Sequence, residues 1–180
     1  MKSQKTIQMA EIALMSAMLC VISPFTIPMP ASPVPFSLAT FGVYLAGVIL
    51  GAKKGMLSVL AYLLLGAVGL PVFSGFTGGV GILLGPTGGY LIGYPACAAV
   101  VGWMTEQKKL NSTFSMILGT LVCYLLGSAW FMIVMGGAYT LAQVLLICVV
   151  PYLIFDLIKI LVAAAIAVPI KKIIWRMQGQ

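Results

Sequence analysis

Six apolar segments alternate along the chain with short connections that are basic, glycine-rich or proline-rich. A helix that crosses a lipid bilayer needs roughly 20 predominantly apolar residues, and each segment comes close to that length. The pattern therefore predicts an all-α integral membrane protein, with six transmembrane helices in a single membrane domain that covers residues 1–180. The predicted spans are approximately residues 7–23, 36–50, 56–70, 88–104, 114–135 and 152–170.

The last span needs a choice of register, because the apolar run from Val144 to Ile170 is longer than one untilted crossing. Proline is favoured in the first turn of a helix, so we place the start of this span beside Pro151. The preceding connection, residues 138–150, is then expected to be a short outer helix or a re-entrant turn.

The connection from Leu70 to Gly93 carries eight glycines and two prolines, and Tyr90 is its one ionisable side chain. Glycine and proline at this density exclude a continuous helix. Aromatic and aliphatic side chains are interleaved with the glycines, as in the wall of a pocket for a small, partly apolar ligand. The alternative is a membrane-embedded turn that only joins two helices. A second connection, residues 24–35, contains five prolines and predicts a stiff, extended segment.

The composition excludes a soluble domain and most enzyme classes. The chain is 62% hydrophobic and 7% charged, with a mean hydropathy of +1.14, whereas soluble domains carry roughly 25% charged residues. No histidine occurs, and the four cysteines lie singly without CxxC spacing, so neither a metal site nor a disulfide framework is expected. Phosphate-loop and hydrolase motifs are also missing from the sequence.

The basic residues predict the orientation of the spans in the membrane. Nine of them fall in connections on one side of the predicted bilayer, which indicates that both termini are cytoplasmic and that the glycine- and proline-rich loops are on the outer face. The net charge of +7 follows from this orientation and does not require a nucleic-acid partner. The nine basic residues are Lys2, Lys5, Lys53, Lys54, Lys108, Lys109, Lys171, Lys172 and Arg176.

Because Glu11 interrupts the first apolar run, we expect a retained span and not a cleaved signal peptide.

Asp156 and Lys159 are the ionisable residues of opposite sign that lie well inside a predicted span. Three residues apart, they share one face of the helix. A charge in the hydrocarbon region is costly, so each group needs a partner or a wet cavity. The functional interpretation is a polar anchor for a ligand with hydrogen-bond donors and a carbonyl or carboxylate. The alternative is a structural ion pair that neutralises itself.

Four motifs in this order resemble the BioY family, the biotin-specific S components of energy-coupling factor (ECF) transporters. They are SPVPF (32–36), LPVFSGFTGG (70–79), LLGPTGGYLIGY (83–94) and PYLIFDLIK (151–159). The resemblance implies a six-helix bundle in the bacterial plasma membrane that binds biotin in an outward cavity closed by the loop between its first two helices. It also implies a transmembrane (T) partner component and two cytoplasmic ATPases.

The resemblance further implies roles for individual residues. In the family, an Asp and a Lys three residues apart in the last helix contact biotin, and these correspond to Asp156 and Lys159. A pair of alanines four residues apart in the first helix forms the docking face, and it corresponds to Ala13 and Ala17. No cofactor is expected. The further candidates for binding the rings and polar groups of biotin are Tyr152, Phe73, Ser74, Phe76, Thr77, Thr87, Gly88 and Tyr90.

Two rival functions are open at this point. A stand-alone facilitator for biotin or another small vitamin would need no ATPase, but it would need a continuous polar path, and the cytoplasmic halves of the spans are nearly all aliphatic. A structural subunit without a ligand would not need an Asp–Lys pair beside a glycine-rich loop.

Overall fold

The computed structural model describes residues 2–28, 34–107 and 111–177, and these ranges are mostly helical. A two-stranded antiparallel ribbon and one 3₁₀ turn, Val150–Tyr152, interrupt the helices. The strands are β1, Thr26–Ile27, and β2, Phe36–Ser37. The helices are α1 Lys2–Ile22, α2 Ala39–Ala67, α3 Val80–Leu84, α4 Gly88–Glu106, α5 Ser112–Val134, α6 Leu141–Cys148 and α7 Leu153–Met177.

Helix α2 is a helical hairpin that reverses at Gly51, where φ is 81° and ψ is −177°. A Cβ built on Gly55 would lie 2.7 Å from the carbonyl oxygen of Ala46. In a straight helix, residues nine apart are separated by about 13 Å along the axis, so the chain must double back between them. We call residues 39–50 the first arm of α2 and residues 52–67 the second arm.

The hairpin turn is held by α4. Glu106 Oε1 accepts a hydrogen bond of 3.0 Å from the backbone N–H of Ala52, at the start of the second arm. A carboxylate is favoured there, because the first N–H groups of a helix are unpaired and the helix dipole is positive at that end. A Cβ at Gly102 would lie 2.2 Å from the nitrogen of Ala52, so α4 approaches this turn backbone to backbone.

The centre of the bundle consists of α2, α4 and α5, with α1 packed on α2 and with α7 packed on α2 and α5. Val43, Val59 and Val101 are fully buried in this core. By contrast, large apolar side chains such as Leu14 and Leu125 are 71–76% exposed on the outside. Exposed apolar surface on this scale is unusual for a soluble monomer, but it is expected of a protein whose outer surface contacts lipid tails.

The six long helical segments fit the six-helix expectation: α1, the two arms of α2, α4, α5 and α7. Four described stretches are long and apolar enough to cross a membrane by length and composition: Gln4–Ile22, Ala39–Ala67, Ser112–Val134 and Leu141–Ile174. Helix α4 is not among them, because its glycines, Pro95 and polar end lower its hydropathy. The chain is a multi-pass membrane protein. The cytoplasmic placement of both termini stays a prediction, and Lys108 and Lys109 lie outside the described residues.

Several helix boundaries differ from the predicted spans. The second arm of α2 covers residues 52–67 and not 56–70, and α7 continues to Met177, beyond residue 170. The first helix begins at Lys2, because the basic head continues the helix that the apolar run starts. The first arm of α2 begins at Ala39 and not at residue 36, because Phe36 and Ser37 pair with Ile27 and Thr26 in the ribbon. The hydroxyl of Ser37 then accepts the N–H of Ala39 at 3.0 Å and fixes the start of the helix.

The structure of the connections between the long helices is closer to the prediction than these boundaries are. The stretch 138–150 contains the short helix α6, whose first turn has a capping box formed by Thr140 and Gln143. Pro151 lies in the 3₁₀ turn, and α7 begins two residues later at Leu153. The glycine-rich stretch contains α3 and contacts the first connection, where the N–H of Gly75 donates to the oxygen of Pro24 at 3.0 Å. Residues 29–33 of the proline-rich connection lie outside the described residues.

The hairpin turn makes a stability prediction. Gly51→Ala should be destabilising by about 2–4 kcal/mol, because φ at Gly51 is positive and the new Cβ would lie 1.9 Å from Glu106 Oε1. Thermal unfolding in one detergent, followed by circular dichroism, should then show a melting temperature lower by roughly 5–10 °C. Gly81→Ala is the matched control, because a Cβ at Gly81 meets no atom within 4 Å. Equal melting temperatures for the two variants would contradict the hairpin geometry.

Candidate functional site

Two adjoining cavities lie between the start of α2 and the helices α4, α5 and α7. The first, which we call the Asp–Lys cavity, has a volume of about 50 Å³. The second, the glycine-loop cavity, has a volume of about 240 Å³ and lies against the 70–87 connection. Both are lined by Val34, Pro35, Ser37, Tyr90 and Tyr94, so they form two compartments of one cleft.

The floor of the Asp–Lys cavity is a buried ion pair. Lys159 Nζ lies 2.7 Å from Asp156 Oδ1, and each side chain is 8% exposed. Asp156 is in the first turn of α7, where the helix dipole favours an anion. Because an isolated charge would be costly in this apolar bundle, the two groups stabilise one another in the charged state.

The ammonium of Lys159 uses all three of its N–H donors within the protein. Besides Asp156, it donates to the carbonyl oxygen of Ser37 at 2.8 Å and to Thr40 Oγ1 at 3.0 Å. The ring of Phe36 lies 4.2 Å from the nitrogen, at cation–π distance. Lys159 therefore ties α7 to the end of the ribbon and to the first turn of α2.

Tyrosine hydroxyls complete the polar network. Tyr124 on α5 donates to Asp156 Oδ2, the carboxylate oxygen that Lys159 does not contact. Tyr152 donates to the carbonyl oxygen of Val34 and so holds the segment that precedes the ribbon's second strand. A carboxylate has about four acceptor positions, and the described residues use two of them. Asp156 therefore keeps acceptor capacity for donors on a ligand.

The structure brings most of the predicted site residues to this cleft. Asp156, Lys159 and Tyr152 line the Asp–Lys cavity, and Tyr90 lines both compartments. The glycine-loop cavity is also lined by Phe73, Ser74, Thr77 and Thr87.

Phe76 and Gly88 do not line either cavity. Phe76 is 61% exposed and packs edge-on against Phe25, with the ring centroids 5.6 Å apart. Gly88 is buried at the start of α4, where a Cβ would lie 1.8 Å from the carbonyl oxygen of Leu83. Its position is explained by close packing and not by contact with the cleft.

Sequence reasoning missed the contribution of α5. Tyr124 and Thr120 both line the Asp–Lys cavity, and Thr120 pairs with the hydroxyl of Tyr44 at 2.6 Å. The available signal was their spacing, because two polar residues four apart lie on one face of an otherwise apolar helix. The other lining residues that the sequence did not single out as ligand-binding are Val34, Pro35, Ser37, Thr40, Tyr44, Tyr94, Cys97, Cys123 and Cys148.

Three cysteines from three helices line the Asp–Lys cavity as free thiols: Cys97, Cys123 and Cys148. Each is nearly fully buried, which agrees with their interpretation as small hydrophobes. Among the described residues there is no group of three or more Cys, His, Asp or Glu side chains that could hold a metal ion.

Ala13 and Ala17 lie in a separate, almost wholly apolar groove between α1 and the second arm of α2. Both alanines are exposed. Within the part of the chain that the structure describes, the groove shares no lining residue with the two cavities. Its other lining residues are Ser16, Ala61, Leu64, Leu65 and Val68.

Comparison with known proteins gives a consistent result. The model of the BioY family matches residues 1–176. The chain is 42% identical over 149 residues to the biotin transporter BioY of Thermotoga maritima, which covers 82% of this chain and 86% of that protein. It is 35% identical over 173 residues to the probable biotin transporter BioY of Bacillus subtilis, covering 92% and 91% of the two chains. These relatives are described as transporters and not as enzymes.

A solved structure has the same fold. The crystal structure of the S component for biotin from an ECF-type ABC transporter superposes with a TM-score of 0.84 at 27% sequence identity. The superposition covers 100% of this chain and 95% of that one.

The buried ion pair leads to a stability prediction. Lys159→Met should lower the free energy of unfolding by about 3–5 kcal/mol, because it leaves the Asp156 carboxylate buried without its cation. The control is Lys54→Met at the Lys54–Glu11 pair, which has a similar distance of 2.6 Å but side chains 21–29% exposed. A partly exposed pair is worth about 0–1 kcal/mol. Thermal unfolding in one detergent measures both variants, and equal losses would show that Asp156 is not a buried charge.

Proposed function

The chain belongs to the BioY family, and on that premise we propose that it is the biotin-binding membrane subunit of an ECF-type importer in the bacterial plasma membrane. In this proposal the subunit captures biotin from the outside. It delivers biotin inward when it is coupled to a transmembrane component and two ATPases.

The observation that carries the proposal is the buried Asp156–Lys159 pair at the floor of an apolar, tyrosine-lined cleft. Biotin combines a ureido group with two N–H donors, an apolar thioether ring and a carboxylate tail. Asp156 has acceptor positions that the described residues do not use, and a ureido N–H would form a charge-assisted hydrogen bond with it. The thioether ring would pack against tyrosine rings and buried thiols such as Tyr94 and Cys123.

The carboxylate tail of biotin extends in this proposal from the Asp–Lys cavity into the glycine-loop cavity. That compartment is larger, and it offers the hydroxyls of Ser74, Thr77 and Thr87 beside the ring of Phe73. Small-molecule sites are usually a few hundred Å³ in volume, which matches the two compartments taken together better than the Asp–Lys cavity alone.

Lys159 has a second role in the proposed mechanism. Two of its hydrogen bonds hold Ser37, at the end of the connection between α1 and α2, and Thr40, in the first turn of α2. A carbonyl or carboxylate oxygen of the ligand would have to replace one of these acceptors, because no N–H of Lys159 is left over. Ligand binding at Lys159 and the position of this connection are therefore coupled.

Energy coupling requires a partner, because the sequence contains no nucleotide-binding motif. We assign the docking surface to the apolar groove that includes Ala13 and Ala17. Lipid is as apolar as the groove, so hydrophobicity does not drive this contact. Small side chains instead allow the backbone of a partner helix to come close. In the same proposal both termini are cytoplasmic, as the basic residues indicate.

The binding role makes the first prediction of this proposal. Asp156→Asn should weaken biotin binding about 10–100-fold, because charge-assisted hydrogen bonds to the ureido group are lost. Lys159→Met should weaken it less in protein that remains folded, since the N–H donors of Lys159 are already used within the protein. Isothermal titration calorimetry measures both affinities. An affinity of Asp156→Asn equal to wild type would reduce the pair to a structural role.

The docking role makes the second prediction. Ala13→Trp with Ala17→Trp should abolish co-purification with the transmembrane component and ATP-driven uptake, because the partner backbone no longer fits. Biotin affinity of the isolated subunit should be unchanged. The control is Leu121→Trp with Leu125→Trp, two exposed positions four residues apart on α5. Normal uptake by the alanine double variant, or a loss of affinity as large as the loss of uptake, would place the docking face elsewhere.

A further inference from the structure

Asp156 is the sole aspartate of the chain, and its two carboxylate oxygens are bound from two different helices. Lys159 holds Oδ1 from within α7. Tyr124 holds Oδ2 from α5. Among the described residues, the Tyr124 hydroxyl thus links α5 to α7 by a hydrogen bond.

Two donors on different oxygens define the plane of a carboxylate. With the bond to Lys159 alone, the carboxylate would be free to turn about its last torsion, which is broad for aspartate. With both bonds in place, the unused acceptor positions have a fixed direction. An acceptor that is already oriented binds a ligand donor at a lower entropic cost than one that must first be ordered.

Tyr124 is well placed to keep this orientation. Its side chain is half-buried and lines the Asp–Lys cavity, so the ring is supported on one side by the bundle. One turn earlier on α5, Thr120 is hydrogen-bonded to Tyr44 of the first arm of α2. This bond fixes the same face of α5 against the core.

We infer that Tyr124 is a positioning residue of the ligand site, whose hydroxyl orients the Asp156 carboxylate for a ligand N–H donor. The inference rests on the proposed biotin-binding function and adds a residue to it. Tyr124 acts through Asp156, so removal of its hydroxyl should affect binding by disordering the carboxylate and not by removing a contact with the ligand.

The first measurement is biotin affinity of the purified full chain by calorimetry. Tyr124→Phe keeps the ring and removes the hydroxyl, and it should bind biotin about tenfold more weakly than wild type, the effect of one lost polar interaction. Tyr62→Phe is the matched control. Tyr62 is a fully buried tyrosine that lines neither cavity and packs edge-on against Phe73, with the ring centroids 5.7 Å apart. Its affinity should stay within twofold of wild type.

The second measurement separates positioning from a general structural effect. Aspartate labelled with ¹³C at its side-chain carboxyl carbon reports on Asp156 alone, because the chain has no other aspartate. In protein without added biotin, the carboxyl signal should shift in Tyr124→Phe and should stay at the wild-type position in Tyr62→Phe. The melting temperatures of both variants are recorded with the spectra.

Each outcome has one interpretation. A shifted carboxyl signal together with weaker binding in Tyr124→Phe supports the inference. Wild-type affinity in Tyr124→Phe overturns it, and so does weaker binding with an unshifted signal, which would mean that Tyr124 contacts the ligand directly. Absence of biotin binding by the wild-type chain would overturn the proposed function, and this inference with it.

Discussion

The electrostatic cost of placing one carboxylate and one ammonium inside an apolar helical bundle constrains this structure more than any other interaction. Neither Asp156 nor Lys159 is stable there alone, so each collects polar partners from the elements around it. The ammonium is bonded to the end of the ribbon and to the start of α2, and the carboxylate is bonded to α5. The ion pair on α7 thus holds together the segment after α1 and the helices α2 and α5. It also forms the polar floor of an otherwise apolar cleft. The same bonds that stabilise the charges define where a ligand with donors and acceptors would bind.

A second constraint is the absence of side chains at a few positions. Gly51 allows the chain to reverse within α2, and Gly102 lets α4 approach that turn closely enough for Glu106 to cap the second arm. Neither Gly51, Gly102 nor Glu106 lines the two cavities. One end of the chain's helical hairpin is therefore fixed by backbone contacts, while the beginning of its first arm takes part in the site.

Much of the fold and part of the ligand site could be predicted from features that are local in the sequence. The helical class and the six long segments follow from apolar runs and basic connections, and the closeness of Asp156 and Lys159 follows from their spacing. The start of the first arm was missed, because a ribbon between residues 26–27 and 36–37 depends on pairing across a proline-rich connection. Tyr124 was missed for a similar reason: its importance comes from a contact between residues 32 apart in sequence. Phe76 is aromatic and lies among glycines, but it is 61% exposed and packs against Phe25 instead of lining either cavity.

The most direct test of this account is a calorimetric titration of the purified chain, in the absence of any partner, with biotin and separately with riboflavin and thiamine. The account predicts saturable binding of biotin at one site per chain, and no binding of riboflavin or thiamine at the same concentrations. The reason is that a ureido group offers N–H donors to Asp156 beside an apolar ring that the cleft accommodates. Failure to bind biotin, or equal binding of all three vitamins, would contradict it.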